Sequence, residues 1–127
     1  MSKKRVVITG MGALTPIGNT VEDYWENLIA GKSGAAPITK FDANLFKTQF
    51  ACEVKNFDPL EIMDRKEARK LDLFSTYALA TTHEAILDSG INLEKINLNR
   101  AGVVWGSGIG GMKTFQDESF NFKDGDG

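Results

Sequence analysis

The chain has 127 residues, of which 42% are hydrophobic and 25% are charged, as is usual for one soluble globular domain. Its formal net charge of -2 argues against binding nucleic acid through bulk charge. The apolar run 6–8 behind the first cations is far too short for a signal peptide or a membrane span. We therefore expect a cytoplasmic protein that contacts neither nucleic acid nor membrane.

The first part of the chain predicts a buried strand and then a capped helix. Residues 5–11 are β-branched and apolar and end in glycine, as buried strands often do. Thr20 is a predicted N-cap, with Asp23 three positions on, for a helix that Gly31 and Gly34 end. Residues 35–57 alternate apolar and polar positions in short pieces, which predicts a loop with a short hairpin or an edge strand.

The middle of the chain predicts one long helix. Asp58-Pro59 is typical of the start of a short helical turn. Asp64 is a predicted N-cap for a helix that runs unbroken to about Ser89. Its middle, residues 71–80, is apolar on most faces, which is typical of a helix buried on all sides. Because so small a chain offers little protein to cover such a helix, we expect further protein around it.

The last third of the chain predicts a second strand and a final helix. Residues 91–100 form a polar connection, and residues 101–105 form the strand. Residues 112–122 form the helix, with Met112 and Phe115 in the core. Two buried strands separated by helices predict an α/β fold with a largely parallel sheet.

The only cysteine and the only histidine are both predicted to be structural. Cys52 can form no internal disulfide and no cysteine-based zinc site, and a small buried hydrophobe is its expected role. His83 lies in the middle of a predicted helix with no matching ligand or base beside it.

A glycine-rich segment, 106–111, matches the G-x-G-x-x-G pattern between a predicted strand and a predicted helix. A dinucleotide site also needs an acidic residue at the end of a following strand, some twenty residues on. Asp124 and Asp126 lie near that distance, but no apolar strand leads to them. Nucleotide binding is therefore the weakest of the functions considered.

The sequence Arg65-Lys-Glu-Ala-Arg-Lys70, called the basic segment below, places four cations and one anion at a predicted helix N-terminus. The helix macrodipole disfavours exposed cations there by about 0.3–1 kcal/mol each, and repulsive pairs four residues apart add to this. Stability alone does not favour this arrangement. The segment therefore predicts a docking patch for an acidic partner, with a solvated charged face as the alternative.

Several segments resemble one family in order and spacing. They are Val6–Gly12, Thr15–Thr20, Trp25, Ala30–Gly34, Phe41-Asp42, Phe57, the basic segment and Gly106–Gly111. On these residues the chain resembles the N-terminal part of the condensing enzymes of the β-ketoacyl-acyl-carrier-protein synthase II family.

This resemblance implies a thiolase-like fold, in which two similar α/β halves form a five-layer α-β-α-β-α stack. Residues 1–127 would be an incomplete N-terminal ketosynthase domain, with no second domain in the chain. The resemblance also implies a homodimer that uses neither a metal nor an organic cofactor. The implied reaction belongs to fatty acid elongation and is a decarboxylative Claisen condensation, and the implied partner is acyl carrier protein in its acyl and malonyl forms.

The resemblance also assigns residues. The family's catalytic cysteine and two histidines lie further along than Gly127, so we expect no catalytic residue in this chain and no activity from the chain alone. Cys52 and His83 do not match the family's catalytic motifs.

Two binding roles are carried over from the family. Lys66, Arg69 and Lys70 match its carrier-docking positions, and Ile109 matches the position beside the acyl pocket that gates chain length. A non-catalytic module that holds a carrier protein is the second function considered.

Overall fold

The computed structural model describes residues 3–125, which form two compact units, each built from separate stretches of chain. The first unit contains the residues up to Asp58 together with Thr81–Ile91. The second contains Pro59–Ala80 and the residues from Asn92 onward. No helix in this described part is long and apolar enough to cross a bilayer.

Helix α1, Val21–Ile29, lies in the first unit and has the predicted ends. The Thr20 hydroxyl accepts the backbone N–H of Asp23 at 3.1 Å, which satisfies one of the unpaired donors of the first turn. Gly31 follows the helix with a φ of 68°, a left-handed conformation that glycine adopts without strain.

Two short strands follow, β1 (Ala36–Pro37) and β2 (Phe50–Ala51), and they pair antiparallel. This confirms the hairpin predicted between residues 35 and 57. Next to the pair, the Thr39 hydroxyl donates to the Glu53 carboxylate at 2.6 Å and the Thr39 backbone N–H donates at 3.2 Å. These hydrogen bonds, the hydroxyl's first, lower the pKa of Glu53, because they stabilise its charged form.

The opening segment lies against helix α3, Leu73–Ser89, rather than in a sheet. A Cβ at Gly12 would lie only 1.9 Å from the carbonyl oxygen of Thr81. The prediction of a buried strand over residues 5–11 is wrong for this chain, since Val6 is 93% exposed and no strand is assigned there. A strand needs a hydrogen-bonded neighbour, and none of the described residues pairs with this segment.

The predicted long helix is two helices. Helix α2, Arg65–Ala68, begins as predicted, with the Asp64 carboxylate accepting the N–H of Glu67 at 2.8 Å. It ends because the chain tightens into i→i+3 hydrogen bonds, such as Lys70 N–H to the Glu67 carbonyl at 2.9 Å. The helical turn predicted at residues 58 and 59 is a 3₁₀ turn at Pro59–Glu61.

The end of the chain contains helix α4, Met112–Asp124, as predicted. Before it come two 3₁₀ turns, at Leu93–Lys95 and Leu98–Arg100. Residues 101–105 were predicted to be a buried strand, but they pair with no other described segment, and Val104 is fully exposed. The physical reason is again the missing strand partner.

The core of the described residues is small. Only Thr76 and Ala78 of α3 are buried, at 4% and 8% exposure. The predictions that Cys52, Met112 and Phe115 are buried are therefore wrong, and all three are exposed. The prediction that residues 71–80 are buried on all sides is also wrong, because too few apolar neighbours surround α3. Much apolar surface is exposed in the described residues, for example at Val6 and Val104.

Candidate functional site

The basic segment is exposed along its whole cationic surface. Arg65 and Lys66 belong to α2, Arg69 is its C-cap, and Lys70 lies in the turn that follows. All four side chains face solvent, and within residues 3–125 no ion pair includes any of them. Since each cation keeps its hydrogen-bond donors available, the segment can bind a carboxylate or phosphate partner.

The second candidate region is a turn, Gly108–Gly111, that immediately precedes α4; we call it the glycine turn. A pocket of about 270 Å³ lies between this turn and the start of α3. Ile109 lines the pocket and is 74% exposed. The other lining residues are Asp72, Leu73, Phe74, Tyr77, Ser107, Gly110, Gly111, Met112 and Lys113.

Two glycines allow this turn to approach α3. A Cβ at Gly110 would lie 2.7 Å from Cε1 of the Phe74 ring, so the aromatic ring occupies the space of a side chain. Gly111 has a φ of 70°, and a Cβ there would lie 2.9 Å from Oδ2 of Asp72. A side chain at either position would force its neighbour on α3 to move, and the left-handed backbone at Gly111 also favours glycine.

A hydrogen bond between side chains joins the two elements that form the pocket. The Thr114 hydroxyl donates to Oδ1 of Asp72 at 2.5 Å. The backbone carbonyl of Asp72 also accepts the N–H groups of Ser75 and Thr76, which starts α3. Sequence reasoning missed both members of the side-chain pair. An aspartate directly before the apolar run that starts with Leu73 is an N-cap signal that could have pointed to Asp72.

In the first unit, two carboxylates of α3 hold the opening segment. Glu84 accepts the N–H of Ala13 at 2.7 Å and that of Val21 at 2.8 Å. Asp88 accepts the N–H of Met11 at 2.8 Å. These anchors were not predicted, because each joins residues more than sixty positions apart in the sequence.

Neither Cys52 nor His83 belongs to these candidate regions. Both are exposed and lie in the first unit, whereas the basic segment and the glycine turn belong to the second. Within the described residues, no cluster of histidine, cysteine and acidic side chains could hold a metal ion.

The structural context of a dinucleotide site is absent from the described residues. No strand precedes the G-x-G-x-x-G segment, and Asp124 is the last residue of α4 rather than the end of a strand. Asp126 lies outside the described residues.

Comparison with known proteins decides the family. Residues 3–126 match the family described as Beta-ketoacyl synthase, N-terminal domain. The chain belongs to the β-ketoacyl synthase family.

Curated relatives in this family are named 3-oxoacyl-acyl-carrier-protein synthase 2. The protein from Vibrio harveyi is 53% identical over 88% of this chain, and the one from Coxiella burnetii is 52% identical over 88%. The protein from Synechocystis is 46% identical over 93% of this chain. The chain spans only 27–28% of the length of these relatives.

Solved ketosynthases share the fold of this segment. The ishigamide ketosynthase/chain length factor has a TM-score of 0.69 and 37% identity, over 75% of this chain and 24% of its own. A second structure has a TM-score of 0.74 and 25% identity. It is a complex of a type II PKS acyl-carrier protein with its ketosynthase bound to the hexaketide. That match covers 98% of this chain and 33% of the other. The chain thus has the fold of the corresponding part of a ketosynthase.

Proposed function

We propose that these residues are the N-terminal part of a β-ketoacyl-acyl-carrier-protein synthase, an acyltransferase of fatty acid elongation. The observation that carries the proposal is the match to 3-oxoacyl-acyl-carrier-protein synthase 2 at 46–53% identity over about nine-tenths of the chain. Identity at this level, together with the ketosynthase fold, supports the elongating type.

The proposed reaction is a decarboxylative Claisen condensation. The acyl group passes from its carrier to a cysteine thiol of the complete enzyme, and the carrier thiol leaves. Malonyl-carrier protein loses carbon dioxide, and the electrons of the broken C–C bond form a new bond to the acyl carbonyl carbon. The cysteine thiolate is then released. Residues 3–125 supply binding surfaces for this chemistry, not its nucleophile.

The basic segment is the proposed docking site for the acyl carrier protein, through Lys66, Arg69 and Lys70. Support comes from the exposure of these cations and from their lack of ion pairs within the described residues. Exposed cations raise the rate of encounter with an acidic partner and position it in one register.

Ile109 is the proposed gate of the acyl pocket. It lines the pocket at the glycine turn together with the apolar side chains of Leu73, Phe74 and Tyr77. An apolar lining suits a hydrocarbon chain, and a side chain that projects into such a lining limits how much of the chain enters.

The complete enzyme is proposed to be a cytoplasmic homodimer with the five-layer thiolase-like architecture. The ketosynthase fold of this segment supports the architecture. The uncovered apolar surface in the described residues, for example at Val104 and Trp105, agrees with further packing in the complete protein.

A chimeric synthase tests the proposed function. Residues 3–125 replace the matching segment of the Vibrio harveyi synthase, and condensation of acyl-carrier with malonyl-carrier protein is measured. We expect activity within about tenfold of the native Vibrio enzyme, a loss of no more than about 1.4 kcal/mol of transition-state stabilisation. The chain alone is the control and should be inactive. A folded chimera without condensation activity would contradict the proposal.

The exposed basic segment favours one further function, a carrier-binding module without catalysis. The chain alone would then bind acyl carrier protein although the chimera failed to condense. If the chimera does not condense and the chain alone does not bind acyl carrier protein either, this function is contradicted as well.

A further inference from the structure

The contacts of the glycine turn are confined to one side of it. Gly110 lies against the Phe74 ring, Gly111 lies against the Asp72 carboxylate, and Thr114 donates to that same carboxylate at 2.5 Å. On the other side, a Cβ at Gly106 or Gly108 would meet nothing within 4 Å. The last residues of the turn therefore lie against the start of α3, whereas a side chain at Gly106 or Gly108 would extend into open space. Ile109 stands at the boundary between them.

We propose that Asp72 is a positioning residue, which acts through Thr114 to hold the glycine turn so that Ile109 lines the pocket, and that this pair thereby sets acyl chain-length selectivity. The inference rests on the proposed function of Ile109 as the gate. It adds Asp72 and Thr114 as the residues that fix the position of the gate. Asp72 lies against Gly111 of the turn, and Thr114 belongs to α4, the helix that follows the turn.

The start of α4 explains why the anchor is a carboxylate from another helix. The N-cap of α4 is Gly111, which makes no side-chain capping bond. A helix N-terminus carries partial positive charge and favours a nearby anion. The carboxylate of Asp72, at the start of α3, supplies this negative charge. Its Oδ2 occupies the space that a side chain at Gly111 would need. The Asp72 carboxylate can lie there because Gly111 has no side chain.

The hydrogen bond between Thr114 and Asp72 controls the position of Ile109, because few other contacts hold that residue. Ile109 is 74% exposed, so packing around its own side chain does not fix it. Its position follows from the backbone of the turn, which is tied to α3 through Phe74 and Asp72. If the hydrogen bond from Thr114 is lost, the first turn of α4 is no longer tied to the start of α3. The turn can then move, and a mobile gate discriminates less sharply between short and long acyl chains.

The test uses two variants of Thr114 in the chimeric synthase. Thr114→Val removes the hydroxyl and keeps the shape, whereas Thr114→Ser keeps the hydroxyl. Ser119→Ala is the matched control, because it removes a hydroxyl that donates to the Phe115 carbonyl on the same helix, and neither residue lines the pocket. Two quantities are measured: kcat/KM for hexanoyl and tetradecanoyl carrier donors, and amide hydrogen exchange over residues 108–112.

We expect Thr114→Val to change the ratio of the two kcat/KM values by about tenfold, within the range by which hydrophobic pockets discriminate chain length. Exchange over residues 108–112 should become faster in the same variant. Thr114→Ser and Ser119→Ala should match the parent in both measurements. Asp72→Asn, which keeps an acceptor oxygen, should lie between the parent and Thr114→Val.

The outcomes separate this inference from the proposed function. A chimera that is inactive with every donor overturns the proposed function and with it the selectivity role. An active chimera whose ratio is the same in Thr114→Val overturns the inference alone. Unchanged hydrogen exchange in Thr114→Val also overturns it, because the anchor would then not hold the turn.

Discussion

Oε1 of Glu84 accepts the backbone N–H of Val21, the first residue of α1, at 2.8 Å, although 63 positions separate the two residues. The N–H groups at the start of a helix have no partner inside the helix. Thr20 satisfies the N–H of Asp23, and Glu84 satisfies that of Val21. Because the other oxygen of Glu84 accepts the N–H of Ala13, one side chain joins α1, the opening segment and α3.

Removal of Glu84 should loosen this junction. In Glu84→Ala two part-buried N–H groups lose their acceptor, a loss of about 1–3 kcal/mol in local stability. We expect amide hydrogen exchange at Ala13 and Val21 to accelerate by roughly tenfold or more. Glu84→Gln should have a smaller effect, since one acceptor oxygen is retained. Glu26→Ala, an exposed change on α1, is the control, and equal exchange rates in all three variants would refute the anchor.

Gly12→Ala should destabilise the chain much more than Gly102→Ala. The new Cβ at position 12 would lie 1.9 Å from the Thr81 carbonyl oxygen, a backbone atom that cannot rotate away. A Cβ at position 102 would meet nothing within 4 Å. Overpacking of this kind costs about 1–3 kcal/mol. Thermal unfolding followed by circular dichroism should show a lower midpoint for the first variant only, and two equal midpoints would contradict the close approach.

The hydrogen bonds of Thr39 should make the hairpin region sensitive to acid. They hold the pKa of Glu53 below its ordinary value, so the unfolded chain binds a proton more readily than the folded chain. The resulting stabilisation is fully present above the unfolded-state pKa and is lost as the pH falls through the folded-state pKa. Carboxyl carbon chemical shifts during an NMR titration report this pKa directly.

The matched variant for this titration is Thr39→Val, which removes the hydroxyl that contributes most to the shift. We expect the pKa of Glu53 to move up towards its ordinary value. An unchanged titration curve for Glu53 would show that the hydroxyl does not stabilise its carboxylate.

Charge reversal in the basic segment should weaken binding of the acyl carrier protein. With Lys66→Glu and Arg69→Glu together, two exposed cations become anions facing an acidic partner, and we expect Kd to rise by about tenfold or more at low salt. The difference should shrink as salt screens the charges. Calorimetric titrations of the chain at low and high ionic strength measure both effects.

The control for that titration is a second double reversal, Lys95→Glu with Lys123→Glu. Both residues are exposed and lie outside the basic segment, so the net charge changes equally. If the two double variants lose affinity equally, the carrier responds to net charge and the docking role is wrong.

Ile109→Phe should shorten the acyl chains that the complete enzyme accepts. The larger ring would occupy part of the pocket of about 270 Å³ that Ile109 lines. A hydrophobic pocket discriminates by about 10–200-fold for the space of one methylene. Steady-state kinetics of the chimeric synthase with donors of increasing length measure the change, and Ile109→Val is the control with a smaller side chain. Unchanged activity with long donors would show that Ile109 does not limit the length of the acyl chain.

Local features of this fold could be predicted because their partners lie a few residues away. The cap of α1 by Thr20 and the cap of α2 by Asp64 each join residues three positions apart. The left-handed Gly31 and the start of α4 at Met112 follow from equally local preferences. The basic segment and the glycine turn could be recognised as candidate regions in the same way, since the residues of each are consecutive in the chain.

The strands and the long helix could not be predicted from local pattern alone. A β-branched run such as residues 101–105 has the composition of a strand, but a strand also needs a neighbour. The break between α2 and α3 has no glycine or proline to mark it. It arises where the chain tightens after Ala68 and Asp72 starts a new helix.

The sequence by itself determined the family, the caps and the position of the charged and glycine-rich segments. Only the tertiary structure decided which distant residues meet. Asp72 and Thr114 are 42 positions apart, and Glu84 and Ala13 are 71 positions apart. Helix caps depend on backbone geometry over one turn, which residue types encode directly. A contact between distant residues depends on the path of the whole intervening chain, and no local pattern specifies that path.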